Sequence, residues 1–309
     1  MRVLIVGGAG FLGSGLAQAL RARHWSPRVL DTAPRLAAAA HLLEGVPTAA
    51  FDFSRDAADP ALFAGHDALV HLACTTNPAQ SMDAIAWDAE SNIAPSVRLF
   101  DAARAAGVAR VVFSSSGGTV YGAPARLPVA ESDATRPLSA YGVSKLAIEN
   151  YLALYPDLRG VSLRVANPYG PYQLVGTAVG VIARYVATVA RREPIEVWGD
   201  GSVVRDYIAV SDVVAAFTAA LATPELVPGA YNVGNGAGES VNEIVAAVFA
   251  AAGYQVPVNY LPARPYDVPA IFLDSSRFRA GTGWAPKVDL EAGVRDLWAA
   301  AQGAARLRA

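Results

Sequence analysis

The chain has 309 residues, of which 53% are hydrophobic and 17% charged, with a formal net charge of −2. This composition builds a sizeable core and argues against a disordered chain, and the balance of charge lacks the basic face that nucleic-acid binding requires. The length exceeds what one core usually fills, which predicts one large α/β unit plus a smaller lobe.

Val3–Val6 reads as a strand that follows Met1-Arg2 directly, with no basic leader segment. Phe11–Arg23 reads as a helix, Arg28–Asp31 as a second strand and Ala49–Phe53 as a third. Ala68–Leu72 is a fourth, and its unbroken apolar character suits a strand covered on both faces. A helix from about Asp83 to Ala106 is stopped by Gly107. Arg110–Ser114 is a fifth strand, Tyr141–Leu154 a helix and Val161–Val165 a sixth strand. Such alternation predicts a doubly wound parallel sheet with helices on both faces.

After Asn167 the segments shorten and prolines and glycines become frequent, as in Pro168-Tyr169-Gly170-Pro171 and Trp198-Gly199-Asp200-Gly201. Helices are expected at about Val179–Arg191, Val213–Ala222, Val241–Ala252 and Leu290–Ala301. The basic pair Arg191-Arg192 closes the first of these and complements its dipole. Val213–Ala222 is the best apolar run and is too short to span a bilayer. The single cysteine, Cys74, excludes an internal disulfide and fits a reducing compartment, so a soluble cytoplasmic protein with no membrane partner is expected.

The first strand ends in Gly7-Gly8-Ala9-Gly10-Phe11-Leu12-Gly13. Gly8, Gly10 and Gly13 satisfy one dinucleotide-binding spacing, and Gly7, Gly10 and Gly13 another. Glycine permits the tight turn and close approach to a pyrophosphate, and the helix that follows offers unpaired N–H groups to phosphates. Asp31 ends the second strand about 20 residues later, where a carboxylate accepts from a ribose 2′-hydroxyl and repels a 2′-phosphate. NAD is therefore expected rather than NADP, with Arg28 and Arg35 the residues that keep NADP open. Asp52, after the third strand, is either an adenine contact or a solvated turn aspartate. The expected division is a dinucleotide-binding domain over 1–167 and a mostly substrate-binding lobe over 168–309, with about 203–233 partly returning to the first.

Tyr141-Gly142-Val143-Ser144-Lys145 places a phenol and an ammonium at i and i+4, on one helical face. A phenol is a poor base at neutral pH, and a nearby ammonium favours its ionised form. The pair therefore suits proton removal from a carbinol whose hydride leaves for the cofactor. The run Ser114-Ser115-Ser116-Gly117-Gly118-Thr119-Val120-Tyr121-Gly122 offers hydroxyls at the end of the fifth strand, or a turn cluster. The four histidines, His24, His41, His66 and His71, form no ligand-spaced cluster, so no metal is expected.

With these motifs the chain resembles the extended short-chain dehydrogenase/reductases, in particular the NAD-dependent epimerase/dehydratase family and its UDP-glucose 4-epimerases. His71-Leu72-Ala73, Leu163-Arg164 with Asn167, Gly170-Pro171, Arg205-Asp206-Tyr207, Tyr231-Asn232-Val233-Gly234 and Arg264-Pro265 with Asp267 extend the resemblance over nearly the whole chain. It implies a Rossmann fold with a smaller C-terminal substrate lobe. It implies that Gly7, Gly10, Phe11, Leu12, Gly13 and Asp31 bind the cofactor, with Asp52, Phe53, Leu72, Ala73, Ser114 and Pro168 also against it. Tyr141 is implied as the base and Lys145 as its electrostatic partner and ribose ligand. Thr75, Asn92, Ser116, Asn167 and Arg205 are implied on the nucleotide-sugar, with Arg264 and Asp267 on its diphosphate and ribose. Ile271 is placed beside the sugar C2 substituent, where a side chain smaller than tyrosine leaves room for an N-acetyl group. A homodimer through the long helix and the Tyr141 helix is also implied.

One position departs from the pattern. The 4-epimerases carry the catalytic hydroxyl four residues before the tyrosine of Val-Tyr-Gly, which here is Gly117. An extra glycine shifts the role to Ser116 or Ser115, with Ser116 expected. The sugar dehydratases carry an Asp-Glu pair where this chain has Gly118 and Thr119, neither of which titrates, so elimination is disfavoured. The expected activity is NAD-dependent 4-epimerisation of a nucleotide-sugar through a 4-keto species. The alternatives are a 4-keto nucleotide-sugar reductase, a UDP-glucuronate decarboxylase, and a dinucleotide-sensing scaffold without turnover.

Overall fold

The computed structural model describes residues 1–56, 58–174, 180–263 and 268–306. β1 (Arg2–Val6) leads through the glycine turn into α1 (Phe11–Ala22), then β2 (Ser26–Asp31), α2 (Ala33–Ala38), β3 (Thr48–Ala50), α3 (Pro60–Phe63) and β4 (Ala68–His71). The helix expected over about Asp83–Ala106 is α5 (Ile85–Ala105), and a short helix not expected from the sequence, α4 (Pro78–Asp83), precedes it. The break falls at Ala84, whose φ of −146° and ψ of 64° are not helical. Asn77 and Gln80 form a capping box that starts α4 separately. Gly107, at φ 73°, follows the end of α5 as the sequence predicts.

β5 spans Arg110–Ser116, two residues beyond its expected end, because Ser115 and Ser116 continue in register with Arg164 and Val165. A single turn, α6 (Gly117–Val120), follows, then α7 (Ala140–Ala153), β6 (Val161–Val165) and β7 (Asn167–Tyr169). The remainder comprises α8 (Val181–Ala190), β8 (Ile195–Trp198), β9 (Val204–Arg205), β10 (Tyr207–Ala209), α9 (Val210–Ala222) and β11 (Gly229–Val233). β12 (Glu239–Ser240), α10 (Val241–Ala252), β13 (Val258–Leu261), β14 (Ala270–Ile271), α11 (Ser276–Thr282) and α12 (Leu290–Arg306) complete it.

The main sheet has seven strands in the order β11-β6-β5-β4-β1-β2-β3, all parallel. The chain thus winds outward from β1 on one side and from β4 on the other. A crevice opens at the carboxyl ends of β1 and β4, where such sheets bind ligands. One apolar cluster joins the sheet to α1 and α9, and a second, with Phe63, Phe100, Phe113 and Ile148, joins it to α5 and α7. A third cluster fills the lobe of α8, α10, α12, β8 and β13. β11 lies in the main sheet although it follows the lobe's first elements in sequence.

Candidate active site

The glycine turn closes against the chain that follows β4. Gly7 has φ 80°, and a Cβ there would lie 2.5 Å from the Ala73 nitrogen. A Cβ on Gly13 would lie 2.4 Å from the Gly8 Cα. A Cβ on Gly10 would instead make only ordinary van der Waals contacts, with Gly7 O and an Arg35 guanidinium nitrogen at 3.6 and 3.9 Å. Gly10 caps the 12-residue helix α1 without any side-chain hydrogen bond, so the first N–H groups stay available to an anion. Asp31 is 6% exposed and accepts from Ala9 N at 3.0 Å and Thr32 N at 2.8 Å. Burial pushes its carboxyl above the usual range, against those two hydrogen bonds.

A cavity of about 790 Å³ runs from Gly10, Phe11, Leu12 and Arg35 to Ser114, Ser116 and Tyr141. Its volume falls within the range of cofactor clefts. The buried Ser14 hydroxyl, which also lines it, has no partner within the described residues. The glycine cradle, the uncapped helix and this spare donor fit a dinucleotide laid along the cavity with its diphosphate on the turn.

At the other end of the cavity, α7 presents Tyr141 and β5 presents its serines. Ser139 caps α7 by accepting from Gly142 N at 3.2 Å, and Tyr141 N donates to Ser81 Oγ at 3.0 Å. Lys145 is 4% exposed; its Nζ donates to Ser114 O at 2.8 Å and sits 5.4 Å from the Tyr141 ring centre. Ser116 lines the same end of the cavity as Tyr141 and favours the ionised phenol. Ser115 points elsewhere, donating to the buried Glu149 carboxylate on α7. A Cβ on Gly117 would meet Leu273 Cδ1 at 2.4 Å and Arg164 O at 2.9 Å, so that position faces the core and cannot carry a hydroxyl to the phenol. Burial, with Cys74 and Asp88 nearby, pushes the Tyr141 phenol well above its ordinary pKa, against the influence of Ser116.

A layer of hydroxyls and amides links the loop after β4 to α5. Thr75 N donates to Asn92 Oδ1 at 2.9 Å, and Asn92 Nδ2 donates to Thr75 Oγ1 at 2.8 Å and to Asp88 O at 2.9 Å. Thr75 and Asn92 are thus brought together, and Asn92 is buried and fully engaged. Asn167 and Pro168 line the cavity. Both the backbone N and Nδ2 of Asn167 donate to Asp206 O at 2.9 Å. Asp206 is itself buried, accepting from Asn235 N, Leu273 N and Gly236 N, and burial pushes its carboxyl up to about 6.

Leu72 and Ala73 lie against the Gly7 turn, and Asp52, Phe53, Arg205 and Ile271 lie outside the cavity lining. Asp52 accepts from Ser54 N at 3.0 Å and Ser54 Oγ at 2.7 Å, as in a turn. Phe53 is buried with its ring 5.1 Å from that of His71. Leu72 packs on the first apolar cluster and Ala73 on the second. Arg205 donates to Val204 O and Val268 O from β9, and Ile271 packs in the core at 2% exposure. Arg264 and Asp267 lie outside the described residues. His71 is fully buried: Ser96 Oγ gives its proton to Asn92 O, so His71 Nε2 is the donor to Ser96 Oγ at 2.9 Å. Burial, aided by the Lys145 charge, lowers the His71 imidazole to about 3 and keeps it neutral. Among the described residues no group of three or more His, Cys, Asp or Glu is placed to hold a metal.

Sequence reasoning passed over three groups that the fold brings to the cavity or its wall. Ser14 and Thr119 line the cavity with buried hydroxyls that lack partners among the described residues. Asp88, 1% exposed, accepts from Ser144 Oγ on α7, three residues after Tyr141. The period of α5 alone marks Asp88 only as a polar residue on a mixed face, so its burial was not readable.

The model of the NAD dependent epimerase/dehydratase family matches residues 3–234. The UDP-glucose 4-epimerase of Mycolicibacterium smegmatis is 36% identical over 95% of this chain and 96% of its own length. The solved UDP-glucose 4-epimerase of Thermotoga maritima with UDP-glucose superposes with a TM-score of 0.91 at 30% identity, over 99% of this chain and 100% of that one. The Stenotrophomonas enzyme solved with NAD and formylated UDP-arabinopyranose gives 0.90 at 31% identity, over 99% of each chain. By motif, fold and whole-length similarity, the chain belongs to the NAD dependent epimerase/dehydratase family.

Proposed function

We propose that the chain is an NAD-dependent nucleotide-sugar 4-epimerase acting on a UDP-sugar of the glucose/galactose or N-acetylhexosamine type. The observation that carries this reading is the convergence of Tyr141, Ser116 and Lys145 at the end of the cavity that begins at the glycine turn. The names of the relatives and of the molecules bound in the solved enzymes agree with it.

The turn of Gly7, Gly10 and Gly13, with Phe11, Leu12, Asp31 and Ser14, would hold NAD. NAD, when bound, would supply a reversible hydride acceptor for C4 of the sugar. Tyr141 takes the C4 hydroxyl proton and later returns it to the carbonyl oxygen. Burial favours the protonated phenol, and Lys145 Nζ, 5.4 Å from its ring centre, is the resident cation that an arriving positive charge would reinforce in favour of the phenolate. Ser116 holds the reacting oxygen beside the phenol. Asn167, Arg205, Arg264 and Asp267 are assigned to the nucleotide-sugar, since guanidinium groups match phosphate oxygens.

A homodimer through α5 and α7 accompanies this reading. Ile85, Trp87, Val143, Tyr151 and Leu154, between 42% and 71% exposed, give these two helices an apolar outer surface. Cytoplasmic residence agrees with the free Cys74, and no helix among the described residues is long and apolar enough to cross a membrane. Incubating the protein with UDP-glucose and UDP-N-acetylglucosamine and following the sugars by NMR tests the activity. The expected result is C4 inversion without net reduced cofactor. No inversion with any nucleotide-sugar, stoichiometric use of reduced cofactor, or carbon dioxide release from UDP-glucuronate overturns it.

A further inference from the structure

Asp88 is a buried carboxylate that the mechanism above does not use. It is 1% exposed on α5, and no cation lies within ion-pair distance among the described residues. An isolated buried carboxylate is costly unless donors surround it. Three do, each from a different element. Thr76 Oγ1 donates from the loop after β4, Ser144 Oγ donates from α7 at 2.5 Å, and Asn92 Nδ2 approaches from the next turn of α5 at 3.4 Å. Ser144 lies three residues after Tyr141, on an adjacent helical position, and one before Lys145. The same loop carries Thr75, held by Asn92, and Cys74, whose Sγ donates to Thr76 O.

We propose that Asp88 is a positioning residue for this site: its carboxylate clamps the Thr75–Thr76 loop, α5 and α7 together and sets a negative charge against Ser144, one helical turn from Tyr141. That charge favours the neutral phenol. Its direction agrees with the raised phenol pKa, to which Asp88 contributes after burial and Cys74. The groups that act on the phenol are Asp88 from α5, Cys74 from the loop, Ser116 from β5 and Lys145 from its own helix. Asp88 thereby holds Tyr141 as a proton carrier that ionises only when positive charge gathers in the cavity. The role rests on Tyr141 being the base of the epimerase reading, but the charge against Ser144 does not depend on turnover.

The test is a tyrosinate absorbance titration of the NAD-loaded protein without sugar, taken as the difference from Tyr141→Phe so that only Tyr141 is read. Asp88→Asn keeps the shape and removes the charge. Its phenol midpoint is expected to fall by about half a pH unit or more, roughly a threefold rise in ionisation constant. Ser144→Ala strips a shielding donor and leaves the charge, so its midpoint is expected to rise, and this arm stands if Asp88→Asn does not fold. An unmoved midpoint in the folded variants, or a shift of opposite sign in either, overturns the proposal. Absence of sugar epimerisation with the expected midpoints overturns the activity instead and leaves Asp88 in place.

Discussion

The two ends of α7 are both buried against the sheet and are built in opposite ways. At the far end the Glu149 carboxylate accepts from Arg164 Nη2 at 2.7 Å and Nε at 3.1 Å, and also from Ser115. Arg164 Nη1 donates to Tyr121 OH at 2.9 Å, Tyr121 to Asn232 Oδ1 at 2.7 Å, and Asn232 Nδ2 to Val129 O at 2.8 Å. Each charge there meets its opposite and each donor an acceptor. Burial works against the Arg164 charge, but Glu149 more than offsets it and keeps the guanidinium firmly protonated. At the near end Asp88 has only neutral donors, and the Thr119 hydroxyl has no partner among the described residues. Closed networks make scaffold, whereas unpaired charge and spare donors leave room for a ligand and for a change of protonation.

The largest expected effect separates the ends outright. Tyr141→Phe should lower turnover about 10²- to 10⁴-fold, read by NMR of the sugar, with an unchanged urea midpoint. Normal turnover in that variant would remove the chemistry from the near end. Glu149→Ala should do the reverse, costing about 3–5 kcal/mol of stability in urea unfolding because it strands the buried Arg164 charge. Adding Arg164→Met should restore much of the loss. A single variant losing under about 1 kcal/mol would break the contrast.

pH sharpens the contrast at the next level. His71 has a folded pKa near 3 against an ordinary value of 6.5, so below about pH 6.5 the unfolded chain binds the extra proton first. Stability is therefore full above that pH and falls on acidification, by about 2 kcal/mol between pH 7 and 5. Urea unfolding of wild type and His71→Gln at both values should show the wild type losing more. Equal losses would mean that another group governs the acid response. The smallest pair concerns neighbouring serines. Ser116→Ala should cut turnover about tenfold with stability kept, and Ser115→Ala should cost about 1 kcal/mol of stability with the smaller kinetic effect. Full activity in Ser116→Ala with loss in Ser115→Ala would reverse their roles.

The motifs that were legible are local. The glycine turn, Asp31 at the end of β2, and Tyr141 with Lys145 each occupy a few consecutive residues or one helical turn, where spacing and geometry are the same thing. The parallel alternation of strands and helices was readable for the same reason. The end of β5 was not, because its last two residues are strand only through pairing with Arg164 and Val165. Nor was the short helix α4 before Ala84, which its own Asn77–Gln80 capping box starts.

By itself, then, the sequence determined the sheet, the cofactor turn and the phenol–ammonium pair, since each follows from backbone periodicity and short-range sterics. The tertiary structure alone decided that Ser115 turns to Glu149, that Gly117 faces the core, and that Asp88 is buried against Ser144 one helical turn from Tyr141. Those outcomes depend on residues far apart in sequence, such as Gly117 and Leu273 or Asp88 and Ser144, being buried together. In that setting low polarity makes each charge and each unpaired hydroxyl count.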